Sequence, residues 1–144
     1  MKPEEFSKEM WNCWRDISFA YSSFARKMGV DTSELYVVDA LWDEAEGLSQ
    51  RTICERCDMG KQTVSAICKR LGARDFMTAH PSEADKRERI MVLTDEGREW
   101  WSQSVERMRE LEVKAAESIT AKEIETFIKV VEQYAKTFQE EVQR

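Results

Sequence analysis

Between Leu48 and Leu71 the apolar rhythm of the sequence breaks once, at Asp58-Met59-Gly60, and this break limits what the chain can fold into more than any other feature. Before it, Ile53, Cys54 and Cys57 recur at helical spacing behind Ser49, whose hydroxyl suits a helix N-cap because it can accept an otherwise unpaired backbone N–H. After it, Val64, Ile67, Cys68 and Leu71 fall at i, i+3, i+4 and i+7 and form one apolar stripe. Two short amphipathic helices joined by a tight, Gly-containing turn make a helix-turn-helix unit. The stripe of the second helix has to face a core, so Lys61, Gln62, Thr63, Ser65, Lys69 and Arg70 are expected to point outward.

From Met59 to Arg74 there are four basic residues, Lys61, Lys69, Arg70 and Arg74, and no Asp or Glu. A helix face of cations, an amide and hydroxyls carries the groups that reach phosphates and base edges in a major groove. Beyond it, Phe76–His80 and Arg89–Leu93 read as strands, the second alternating Ile90 and Val92 against Met91 and Leu93. The segment between them, Pro81 to Arg89, is a polar hairpin tip holding Lys86, Arg87 and Arg89. Helix and tip thus offer two contacts to one polyanion.

A helix-turn-helix, a strand pair with Asp85-Lys86-Arg87 at its tip, and Arg89-Ile-Met-Val-Leu-Thr94-Asp-Glu-Gly97 opening a long helix resemble the winged-helix core of MarR-type transcriptional regulators. The Asp-x-Arg followed seven residues later by Thr-x-x-Gly is the most specific part. The sequence departs from the family pattern at Asp75, where Gly is usual, and near Ala79, where an Arg is usual. Asp tolerates a left-handed backbone better than most residues, so the turn can survive. The missing Arg removes one phosphate contact and leaves the fold intact.

The resemblance implies a mainly α fold with a small β wing, organised as a single MarR-like domain over residues 1–144. A winged helix-turn-helix core (31–97) is flanked by dimerisation helices (1–30 and 120–144), with a long connecting helix (94–119). It also implies a homodimer that binds a pseudo-palindromic operator in double-stranded DNA, acts as a repressor, and is released by a small phenolic ligand or an oxidant. Lys61, Gln62, Thr63 and Ser65 would reach base edges, Lys69 and Arg70 phosphates, and Lys86, Arg87 and Arg89 the wing contacts. Arg87 would enter the minor groove, oriented by Asp85.

The ends of the chain support the pairing on independent grounds. Phe6, Met10, Trp14, Ile17, Tyr21, Phe24 and Met28 recur every three or four positions in a first helix that Gly29 can end. Asp31 or Thr32 caps a second, with Leu35, Val38, Leu41 and Trp42 on one side, which stops near Glu46-Gly47. Thr94 caps a helix running through Trp100, Trp101, Val105, Met108, Leu111 and Ala115 to Ile119. Thr120-Ala-Lys-Glu123 is a capping box opening the last helix, where Ile124, Phe127, Val131, Tyr134 and Phe138 keep a spacing near the period of a packing seam. Two terminal helices with such stripes have more apolar surface than a small winged core can cover. They are expected to pack on each other and on a second copy.

The formal charge of −6 argues against a nucleic-acid partner until its distribution is considered. Residues 51–98 hold ten basic and eight acidic side chains, and the remainder twelve and twenty, so the acid lies in the flanks. This split permits local binding to DNA while limiting non-specific affinity. No apolar run approaches a membrane span and the first residues lack a secretory core, so the expected location is cytoplasmic, with no membrane partner.

The sequence holds no Gly-rich phosphate loop, no nucleophile with a His partner and no paired acids in a recognisable motif, so it is not read as an enzyme, and no cofactor or metal is expected. Cys54-x-x-Cys57 has no second Cys pair, and the single His is His80; Cys54, Cys57 and Cys68 are read as small buried hydrophobes. Trp11, Trp14 and Trp42 are read first as core and only second as an effector pocket, and no effector residue is assigned. Two alternatives differ in class: a winged-helix protein-interaction module without DNA binding, and a thiol-based redox sensor using Cys54 and Cys57, or Cys13.

Overall fold

A computed structural model describes residues 1–144 as helix α1 (Pro3–Met28), helix α2 (Thr32–Trp42), strand β1 (Leu48–Ser49), helix α3 (Gln50–Cys57), helix α4 (Lys61–Ala73), strands β2 (Met77–Pro81) and β3 (Arg89–Leu93), helix α5 (Asp95–Glu117) and helix α6 (Ala121–Val142). They gather into two units, Met1–Met108 and Arg109–Arg144.

In the first unit the helix boundaries follow the capping chemistry. Gly29 takes a left-handed backbone (φ 73°) and ends α1, with its own N–H donating to the Arg26 carbonyl and that of Val30 to Ala25. Asp31, and not Thr32, caps α2, its carboxylate accepting from the Glu34 N–H at 2.9 Å. Ser49 caps α3 by accepting from the Thr52 N–H at 3.1 Å. In the turn between α3 and α4 the left-handed residue is Asp58 (φ 47°), whereas Gly60 is extended (φ −66°) and serves as the N-cap of α4.

Helix α2 ends at Trp42, before the Glu46-Gly47 stop expected from sequence, and the difference has a steric cause. The chain turns through Gly47 (φ 77°), where any Cβ would collide with the Met91 carbonyl oxygen. This close approach brings Leu48 and Ser49 into antiparallel register with Met91 and Ile90. The sheet therefore has three strands, in the order β1-β3-β2, where the sequence suggested two. A two-residue strand carries no periodicity by which to be found.

The core joins Ala25 of α1, Leu35, Val38 and Leu41 of α2, Ile53 of α3, and Val64, Ile67 and Leu71 of α4 to Met77, Met91 and Leu93 of the sheet and to Trp101, Val105 and Met108 of α5. Trp11 and Trp14 are not part of it. They are 62% and 63% exposed, contrary to the expectation that they are core, while Trp42 is half-buried against it. At about 1.5 Å per residue α1 is about 39 Å long. Only its last turns, at Tyr21, Phe24 and Ala25, lie on the core.

The second unit comprises the end of α5, a turn and α6. Thr120 and Glu123 form the capping box: the Glu123 N–H donates to the Thr120 hydroxyl at 3.3 Å and the Thr120 N–H to the Glu123 carboxylate at 2.9 Å. The Thr120 hydroxyl, donating to the Glu123 carboxylate at 2.6 Å, and after it the Thr120 N–H hold that carboxyl below its ordinary pKa. No residue of α6 is buried: Phe127, Val131 and Phe138 are exposed, Ile124 and Tyr134 half-buried, and the rings of Tyr134 and Phe138 stack. No helix of the chain is long and apolar enough to cross a membrane.

Candidate nucleic-acid interface

Helix α4 is oriented by its buried side. Val64, Ile67, Cys68 and Leu71 are at most 4% exposed, and this turns Lys61, Gln62, Thr63, Ala66, Lys69 and Arg70 to the surface, with Ser65 half-buried beside them. No acid stands in the first turn of α4, and Gly60 offers no side chain to its free N–H groups, so its N-terminus adds partial positive charge to that of Lys61. Beside it runs an open groove of about 400 Å³, bordered by Asp31 and Ser33 at the start of α2 and by Gln62, Thr63, Ala66 and Arg70 of α4.

The wing is β2 paired antiparallel with β3, from Met77 opposite Leu93 to Pro81 opposite Arg89. Its tip is closed by the Ser82 N–H donating to the Glu88 carbonyl and the Glu88 N–H to the Asp85 carbonyl, both at 2.9 Å. The Asp85 carboxylate accepts the Arg87 backbone N–H at 3.0 Å, a bond to the main chain of Arg87 rather than to its guanidinium. The side chains of Lys86, Arg87 and Arg89 are exposed.

Wing and helix meet at one joint. The Thr94 hydroxyl donates to the Asp75 carbonyl at 2.6 Å and accepts from the Gly97 N–H at 3.0 Å, so it caps α5 and grips the turn after α4 together. The Thr94 N–H donates to the Phe76 carbonyl at 3.0 Å. A Cβ at Gly97 would strike that same carbonyl, so the Thr-x-x-Gly spacing has a mechanical reason. Asp75 takes the left-handed conformation (φ 61°) expected of it.

One participant escaped the sequence. Glu34, only 7% exposed, lies with its carboxylate 3.0 Å from Arg70 Nε and 3.9 Å from an Arg74 guanidinium nitrogen. The Arg74 guanidinium also sits 4.6 Å from the Phe76 ring centre and 4.4 Å from that of Trp100. In the sequence Glu34 is merely a first-turn acid of a helix. The i, i+4 spacing of Arg70 and Arg74 was the available signal, but it names no partner.

The cysteines are all unpaired thiols, Cys68 buried, Cys54 and Cys57 half-buried, Cys13 exposed. Cys57 Sγ lies 3.6 Å from the Tyr36 carbonyl oxygen, and burial, followed by the nearby Asp39 charge, raises its pKa. Burial pushes the Cys68 thiol up to about 11. Both shifts run away from the thiolate that a nucleophilic cysteine needs. No three His, Cys, Asp or Glu side chains converge as a metal site would require.

Comparison with known proteins places this geometry. Residues 28–88, from the end of α1 to the tip of the wing, match the MarR family model. The chain carries a MarR-type winged helix. Among solved structures, a MarR family regulator from Neisseria meningitidis superposes with a TM-score of 0.80 at 19% identity, covering 94% of this chain and 95% of that one. The PcaV transcriptional regulator from Streptomyces coelicolor, in complex with its natural ligand, gives 0.67 at 24%, covering 86% and 89%. Reduced AbfR bound to DNA gives 0.67 at 20%, covering 98% and 95%. At these identities the likeness establishes the MarR-type fold. No curated protein sequence matches the chain.

Proposed function

We propose that this protein is a DNA-binding transcriptional regulator of the MarR family that works as a homodimer on a pseudo-palindromic operator, repressing by occupying a promoter. The observation that carries the reading is the joint exposure of Lys61, Gln62, Thr63 and Lys69 on α4 and of Lys86, Arg87 and Arg89 on the wing, in an otherwise acidic protein. Gln62 has the amide that pairs with adenine and Lys61 the ammonium that pairs with guanine, while Lys69, further along α4, suits a backbone phosphate. Arg87 at the wing tip suits a narrow, A·T-rich minor groove. Two copies related by a two-fold axis would set their α4 helices about 34 Å apart, one turn of duplex. The exposed apolar residues of α6, Phe127, Val131 and Phe138, with half-buried Ile124 and Tyr134, and Phe6 and Met10 of α1, supply the material for that pairing.

Release by a small molecule fits the same architecture, as PcaV was solved with its natural ligand and AbfR on DNA. An effector would act by favouring a spacing of the two α4 helices that does not fit the duplex. Gel-shift titration against promoter fragments at several salt concentrations tests the reading. Affinity should fall steeply with salt, and equal indifference to every duplex at low salt would refute it.

A further inference from the structure

Glu34 is the only charged residue among the buried ones. Its place is fixed from behind, because its N–H is held by the Asp31 carboxylate at 2.9 Å. Its carboxylate faces Arg70 of α4 at 3.0 Å and Arg74, the C-cap of that helix, at 3.9 Å. Arg74 is clamped on its other side by the rings of Phe76 and Trp100. Glu34, Arg70 and Arg74 thus form a strut from the start of α2 to the C-terminal end of α4, tied through those rings to the residue that leads into β2 and to α5.

Arg70 also borders the groove beside Gln62 and Thr63, half-exposed, where a DNA backbone would pass. Both claims on it cannot be met equally. Moving its guanidinium to a phosphate would leave a buried carboxylate without its nearest counter-charge, a heavier loss than the gain from one solvent-screened contact. Lys69, its neighbour on α4, is exposed and has no carboxylate to leave behind.

We infer that Glu34 is a positioning residue of the DNA interface: it keeps Arg70, with Arg74, as the strut that sets the pose of α4, and so removes Arg70 from the cations that neutralise phosphates. The inference rests on the DNA-binding reading and changes it, since sequence alone places Arg70 among the phosphate contacts.

The test is fluorescence anisotropy over a range of salt with a duplex selected by the wild-type protein from random-sequence DNA. Wild type, Lys69→Ala, Arg70→Gln, Glu34→Gln and the double variant Glu34→Gln/Arg70→Gln are compared, with thermal melts to confirm folding. Lys69→Ala should lower the slope of log affinity against log salt by about 0.9, the value for one phosphate. Arg70→Gln should weaken binding by the same factor at every salt, leaving the slope at the wild-type value. Its effect should shrink to within about twofold once Glu34 is already Gln, because a residue acting through another loses its influence with that partner. A slope lowered by about 0.9 in Arg70→Gln, or a loss undiminished in the double variant, makes Arg70 a phosphate ligand and overturns the inference while the DNA reading stands. If Glu34→Gln does not fold, the slope of Arg70→Gln decides alone. If wild type selects no duplex, the DNA reading falls, and the role assigned to Glu34 falls with it.

Discussion

Single side chains in this protein divide sharply between those that hold the main chain and those left free to reach outward. Arg87 belongs to the second group, because only its backbone N–H is engaged, by Asp85. Arg87→Ala should therefore cut affinity for DNA while the melting temperature stays within the error of the measurement; a large fall in melting temperature would mean that the wing is misassigned. Gly97 belongs to the first group. Gly97→Ala pushes a methyl group into the Phe76 backbone and should cost about 1–3 kcal/mol, read by denaturant titration. The thiols divide likewise. In the native protein at neutral pH, iodoacetamide should modify Cys13 first and Cys68 only on unfolding. Because the folded-state pKa of Cys68 is raised, its contribution to stability is complete below the ordinary thiol range and is lost as pH rises through about 11. A pH-stability profile of Cys68→Ala against wild type checks the sign: the two curves should converge on the alkaline side.

At the scale of elements, the helices were legible because their information is local. The 3.6-residue stripe of α4, the Ser49 and Thr120 caps and the Gly29 stop sit within a turn of what they control. The wing was legible because Arg89–Leu93 alternates and because a charged segment separates it from β2. What stayed hidden depended on a partner distant in sequence. β1 exists only because Gly47 lets the chain press on Met91, some forty residues away. Glu34 meets Arg70 thirty-six positions on, and no spacing rule connects an acid at the start of one helix to a cation near the end of another. Trp11 and Trp14 misled in the opposite direction. Their hydrophobicity was plain, but whether the core reaches them is a matter of helix length against core size. For the candidate interface, residue types and outward direction were readable, whereas the engagement of Arg70 was not.

For the whole molecule, the exposed apolar residues of α6 make a prediction about copies. Val131 is 44% exposed, so Val131→Asp costs the single chain little, yet in a packed seam it would bury an unpaired carboxylate. Light scattering coupled to gel filtration should show wild type at twice the chain mass and Val131→Asp at the chain mass, with helical content unchanged by circular dichroism. On the proposed reading the variant should also lose DNA binding, since a single copy would present only half of the contacts. A variant that stays at twice the chain mass would move the seam elsewhere.

The joint at Thr94 restricts how such a protein could be controlled. One hydroxyl holds the carbonyl that follows α4 and opens α5, while Gly97 lies flush against the residue that leads into the wing. Wing and α4 are therefore tied at one point, and on the proposed DNA-binding reading they are expected to move together. The first turns of α5, from Asp95 to Met108, continue from that joint within the same compact unit, so a tilt applied there would reach wing and α4 together, which on that reading favours all-or-nothing release over gradual loosening.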